Sequence, residues 1–137
     1  MVTNPRATEQ TERCTRWLEG LLARGVRVLI PEIADYELRR ELLRADKVAG
    51  LQRLDALVAA LEYLPLTTAV MRQAARFWAE ARRQGRPTAD EKALDGDVIL
   101  AAQALLTTTD DETVIVATDN VGHLARFVPA SRWWEIL

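Results

Sequence analysis

The feature that most constrains this chain is a repeated change of hydrophobic period. Short apolar runs at residues 26–30, 62–66 and 113–118 are separated by long stretches in which apolar residues recur every three or four positions. Short apolar runs read as strands, and the three-to-four spacing reads as helices with one buried face. Residues 8–24 place Cys14, Trp17, Leu18, Leu21 and Leu22 on one stripe, and Gly25 follows where a helix-ending glycine belongs. Pro31 closes the first strand, and a helix with Ile33, Leu38, Leu42 and Leu43 on its inner face runs from Glu32 into the forties. Leu51, Leu54, Leu57, Val58 and Leu61 mark the next helix. Pro65 ends the second strand, and Thr67 or Thr68 can cap a helix that buries Val70, Ala74, Phe77, Trp78 and Ala81. After a polar connection at 84–95, the segment Val98 to Leu105 is apolar on nearly all sides and should be buried. Strands alternating with helices imply an α/β fold, a three-layer α/β/α sandwich with a mainly parallel sheet. Ligand crevices in such sheets lie beyond the carboxyl ends of the strands. Attention therefore falls on the residues after Ile30, Leu66 and Thr118.

The 137 residues suit one domain, and the 49% hydrophobic and 28% charged fractions are those of an ordinary globular protein. No apolar run is long enough to span a membrane, and residues 1–10 lack the apolar core of a signal peptide. The single Cys14 excludes an internal disulfide and a paired-cysteine zinc site. A cytoplasmic location is the expectation that follows. A net charge of −2 gives no global signature of a nucleic-acid binder. Every cation except Lys47 and Lys92 is Arg; Arg is the better phosphate fork, although compositional bias gives the same pattern.

Carboxylates gather at the strand ends. Glu37 lies one turn after Ile33 and so shares a face with a core residue, where a carboxylate needs a cation or donors to offset its burial. The competing role is a solvated residue paired with Arg40 at helix spacing. Asp95 and Asp97 stand at the start of the apolar 98–105 segment. One of them would serve as an N-cap, and the second has no structural need. Asp119 and Asn120 follow the 113–118 strand, with Thr118 at the same rim; Asx residues there are also ordinary turn formers. Convergence of carboxylates, an amide and a hydroxyl without His or Cys would suit Mg²⁺ or Mn²⁺. Such an ion could activate water against a phosphodiester.

Other chemistries find little support. His123 is the only histidine, which rules out any His pair, and its place in a terminal helix reads as packing. No P-loop, GxGxxG run or nucleophile elbow is present. Trp133 and Trp134 read as packing or an interface. Arg39, Arg40, Arg44 and Lys47 form a basic stretch for which a solvated helix face is the default and an RNA-backbone contact the alternative.

Three segments together resemble the PIN-domain family, in particular the VapC-like toxin ribonucleases. Val28-Leu29-Ile30-Pro31-Glu32-Ile33-Ala34-Asp35-Tyr36-Glu37-Leu38-Arg39-Arg40 looks like the family's strand-Pro-helix, whose acidic residue falls on Glu37. Asp97-Val98-Ile99-Leu100-Ala101-Ala102-Gln103-Ala104 looks like the family's Asp-x-x-Ile-Ala-Ala-x-Ala helix and places a further acid on Asp97. Residues 114–120, followed by Val121-Gly122-His123-Leu124, resemble the late strand and turn, with Asn120 at the variable Asp or Asn position and Asp119 just before it. The resemblance runs from about Trp17 to the C-terminus. It implies an RNA-cleaving enzyme dependent on Mg²⁺ or Mn²⁺, with Glu37, Asp97 and Asp119 catalytic and Asp95, Asn120 and Thr118 beside them. It also implies a cognate antitoxin and a homodimer as partners.

One element of the family pattern is missing. PIN domains open with an apolar strand ending in Asp-Thr-Asn or Asp-Ser-Asn, and nothing here matches it: Val2-Thr3-Asn4 has no preceding strand and no acid. The expectation is a single PIN-like domain over 1–137 that lacks the first strand and is weak or inactive as given. Two other readings stay open. One is a non-catalytic PIN-like module for partner binding or dimerisation; the other is an unrelated α/β domain that binds a small molecule or nucleotide.

Overall fold

A computed structural model of the chain describes residues 5–85, 91–118 and 121–136. Helix α1 (Pro5–Ala23) leads into strand β1 (Leu29–Pro31), helix α2 (Glu32–Arg44), helix α3 (Val48–Ala60) and strand β2 (Glu62–Leu64). Helices α4 (Thr68–Arg83) and α5 (Glu91–Thr107) follow, then strand β3 (Val116–Ala117), short helix α6 (Val121–Leu124), strand β4 (Ala130–Ser131) and a 3-10 turn at Trp133–Glu135. The fold is α/β with parallel strands, as the change of period implied. Gly25, at φ +77°, closes α1 in the left-handed region, with Gly25 N–H donating to Leu22 O at 3.1 Å and Val26 N–H to Leu21 O at 3.0 Å. Thr67 caps α4, its hydroxyl accepting from Val70 N–H at 3.1 Å.

The strands differ from the expected single sheet. β1 pairs in parallel with β2, Ile30 opposite Tyr63, and β3 pairs in parallel with β4, Val116 opposite Ala130. Among the described residues no strand joins the two pairs, so the sheet is divided into two ribbons of two strands. Strands of two or three residues supply few ladder bonds, and side-chain links do the rest. The 113–118 run contributes only Val116 and Ala117 to a ladder, and β4 was not visible in the sequence pattern at all.

The core lies between α4 and α5. Val70, Ala74, Phe77 and Ala81 of α4 meet Leu94, Val98, Ala101 and Ala102 of α5, closed off by Val116, Leu124 and Val128. Alanines at 74, 81, 101, 102 and 104 let the two helices approach closely, and the Phe77 and Phe127 rings meet at 4.9 Å. Trp78, expected inside, is exposed and lies under the Arg82 guanidinium instead. At the far end Trp17 packs on Trp133 at 5.6 Å and donates its indole N–H to Ile136 O at 3.0 Å, which seats the C-terminal segment on α1. Among the described residues, no helix is long and apolar enough to cross a membrane.

Among the described residues, one polar side chain sits wholly inside. Gln103, on α5, is fully buried. Its Nε2 donates to Leu64 O at 2.8 Å, and its Oε1 accepts the Ile33 N–H at 3.3 Å. That N–H is one of the four that the start of an α-helix leaves without an intrahelical partner, and the β2 carbonyl lies at a strand end. Glu32 adds a second link, accepting Leu66 N–H at 2.6 Å. Through these bonds the beginning of α2, the end of β2 and the middle of α5 hold a fixed relation.

Candidate active site

Fixing α2 against α5 brings Glu37 to the first half of α5. Glu37 lies one turn beyond buried Ile33, so the residue that anchors α2 also aims the carboxylate. The carboxylate occupies the space in which a side chain at position 96 would begin. A Cβ on Gly96 would lie 2.9 Å from Glu37 Oε2, 3.1 Å from Oε1 and 3.2 Å from Cδ. Gly96 directly precedes Asp97, so the Glu37 carboxylate reaches the turn of α5 that bears Asp97, 60 positions later in sequence.

The capping explanation for the two aspartates does not hold. α5 begins at Glu91, so Asp95 and Asp97 are inside the helix, past its opening residues. Asp is a poor interior helix residue, and an interior glycine costs about 1 kcal/mol relative to Ala. The sequence Asp95-Gly96-Asp97 is therefore locally unfavourable for the helix that carries it. Asp95 is exposed, whereas Asp97 is partly buried. Burial pushes the Asp97 carboxyl above its usual range, while the positive charge of His123 and of Arg126 pulls the other way.

These two residues lie on and just beyond α6. His123 is thus a neighbour of the acidic turn, a position its reading as a packing residue did not capture. Arg126 is stacked 5.3 Å from the Phe127 ring centroid, and its Nε donates to His123 O at 3.4 Å. Its Nη2 is buried without a hydrogen-bond partner among the described residues.

Glu37 also keeps a trace of the alternative role. Its Oε2 stands 4.0 Å from Arg40 Nη2, the outer limit of an ion pair, and its side chain is 42% exposed. The basic stretch around it is largely neutralised: Arg39 bonds Asp35 at 3.0 Å and Asp55 at 2.8 Å, and Arg44 bonds Glu41 at 2.9 Å. That favours the solvated-face reading over an RNA track.

Thr118 sits at the carboxyl end of β3, its N–H donating to Ser131 O at 3.0 Å. Asp119 and Asn120 lie outside the described residues. Among the described residues no three His, Cys, Asp or Glu side chains form a ready metal cluster. Glu37 and Asp97 offer oxygen donors only, which is the donor class of a hard dication, and such an ion can be held by one or two carboxylates with water completing its shell. Gly96, Gln103 and Arg126 were not singled out in the sequence. A glycine within an otherwise strong helix and a lone amide in an Ala-rich buried run were the signals that could have exposed the first two.

Comparison with known proteins bears on the fold and the family. The structure of VapBC-1 from nontypeable Haemophilus influenzae superposes with a TM-score of 0.64 at 16% identity, covering 87% of this chain and 86% of that one. At that identity the likeness speaks for the fold. No curated protein matches. The family description "PIN domain" matches residues 5–127, a span that includes Glu37, Asp97, Asp119 and Asn120. On that match, this chain belongs to the PIN-domain family.

Proposed function

We propose that this chain is a metal-dependent ribonuclease of the VapC toxin type, in which Glu37 and Asp97 are the principal acids. The observation that supports the reading is the seat of the Glu37 carboxylate against Gly96, beside Asp97, on an interior turn of α5 where the aspartate has no capping role. Mg²⁺ or Mn²⁺ held by these carboxylates would lower the pKa of a water molecule and offset charge on the scissile phosphate. Glu37 and Asp97 would hold the ion directly. Asp95, exposed on α5, adds negative potential, and Thr118, with Asp119 and Asn120 next to it in sequence, supplies further candidate ligands. Arg126 supplies positive charge beside Asp97, which would draw an RNA phosphate towards the acids.

The partner we propose is a cognate antitoxin, with a homodimer as the assembly and the cytoplasm as the compartment. Tyr36, Leu43 and Val48 are exposed on and after α2, with Arg40 stacked over Tyr36 at 5.3 Å, an apolar surface of the kind that protein partners cover.

Cleavage of mixed single-stranded RNA, with Mn²⁺ or Mg²⁺ and with EDTA, tests the enzymatic reading. The resemblance places one further acid on a strand that the 137 residues do not include, so residues 1–137 should cut weakly. A form extended by an apolar strand ending in Asp should cut faster. In either form, Glu37→Gln and Asp97→Asn should each lower the rate by about 100-fold, equivalent to about 2.7 kcal/mol of transition-state stabilisation. Equal cleavage in EDTA, or full activity in both variants, would overturn the metallonuclease reading. No cleavage by either form with any divalent metal would replace it with the non-catalytic partner-binding module.

A further inference from the structure

We infer that Gly96 is a positioning residue for the acid pair: by carrying no side chain, it admits the Glu37 carboxylate to the turn of α5 that bears Asp97. The inference rests on the reading of Glu37 and Asp97 as a metal site.

Backbone conformation does not account for this glycine. Its φ is not positive, unlike that of Gly25 or Gly85, and it sits inside α5, where alanine would be the better helix former. Space does account for it. The three nearest atoms to a Cβ at position 96 all belong to the Glu37 carboxylate, at 2.9 to 3.2 Å, closer than a carbon and an oxygen normally approach. No core side chain lies among these three nearest atoms.

What an added methyl would displace is the free end of a partly exposed side chain, so the fold can accept it while the carboxylate cannot stay. Little holds Glu37 elsewhere, since Arg40 reaches it only at 4.0 Å. Position 96 thus separates two properties that usually change together. Gly96→Ala should leave the helix as stable or more stable, yet move one acid away from the other.

The test is Mn²⁺ affinity by electron paramagnetic resonance, with thermal melts of the same samples, for the 137-residue chain and for Gly96→Ala, Glu37→Asp, the Gly96→Ala/Glu37→Asp pair and Glu37→Gln. Gly96→Ala should melt at or above the parent temperature while binding Mn²⁺ about tenfold more weakly, the scale on which groups supporting a metal ligand act. Glu37→Asp alone should also bind more weakly, because its carboxylate is withdrawn. Combined with Gly96→Ala, the shorter acid no longer meets the new methyl, so the double variant should bind better than Gly96→Ala. Wild-type affinity in Gly96→Ala, with affinity lost in Glu37→Gln, would overturn the inference and leave the metal reading standing. A parallel fall in melting temperature and affinity, with no recovery in the double variant, would assign Gly96 to packing and also overturn it. No Mn²⁺ binding by the parent chain, or equal binding in Glu37→Gln, would remove the metal reading and this inference with it.

Discussion

Helix α5 has two sides that obey different rules. Towards α4 it is built from Leu94, Val98, Ala101 and Ala102, all buried, and packs against Val70, Ala74, Phe77 and Ala81. Towards α2 it offers Gly96 and Gln103, with Asp97 on the adjoining face, and α2 answers with a single buried residue, Ile33. The first side is held by apolar contact, which needs only shape and volume. The second is held by two hydrogen bonds of one amide and seats a carboxylate against an interior glycine that precedes an aspartate, residues that give up helix stability. Local conflict of this kind, confined to one face of an otherwise consistent helix, is where functional demands are expected to show.

Breaking the apolar side should cost the most. Phe77→Ala removes a buried ring and its contact with Phe127, and should lower stability by about 3–5 kcal/mol in urea unfolding. A loss near 1 kcal/mol would mean that the α4–α5 contact is not the main core. On the polar side, Gln103→Leu keeps the bulk but leaves Ile33 N–H and Leu64 O without their partner. Each unmade bond costs about 1–3 kcal/mol, so a loss of about 2–4 kcal/mol is expected. Unlike Phe77→Ala, this exchange should also disturb α2, and hence Glu37. Amide exchange at Ile33 should speed up in Gln103→Leu and change less in a core variant of equal stability.

A smaller effect, opposite in sign, sharpens the comparison. Because burial raises the Asp97 carboxyl above its unfolded value, this group contributes stability at pH values below the ordinary carboxylate range. That contribution is lost as pH rises through the raised folded value. Above that value the ionised group is a burden, since the pull of neighbouring positive charge does not fully offset its desolvation. Asp97→Asn should therefore raise the melting temperature at pH 7, by an amount that shrinks as pH falls through the carboxylate range. The same variant is the one expected to lose RNA cleavage. A melting temperature that falls at pH 7 would show that Asp97 is a structural acid.

The two sides also differed in how legible they were. The apolar side could be read from period alone: Val70, Ala74, Phe77 and Ala81 recur at helical spacing, and 98–105 is apolar enough to announce its burial. Trp78 misled because it is large and adjacent to that stripe, although its ring lies outside under Arg82. The polar side was readable only in part. Glu37 and Asp97 could be marked because they sit near strand ends, but their meeting depends on how α2 docks, and that is set by one amide 70 positions from the N–H it receives. The N-cap role given to Asp95 and Asp97 failed because α5 starts earlier, at Glu91, in a polar stretch whose sequence reads equally well as a loop. The division of the strands into two ribbons was equally hidden, since strands of two or three residues leave almost no periodic signal.

The central claim is that Glu37 and Asp97 share one divalent cation. Crystals of the chain soaked in Mn²⁺, measured at a wavelength where manganese scatters anomalously, test it most directly. The account predicts an anomalous peak within coordination distance of both carboxylates, absent from crystals of Glu37→Gln. A peak elsewhere on the surface with none between these two residues, at saturating Mn²⁺, would contradict it.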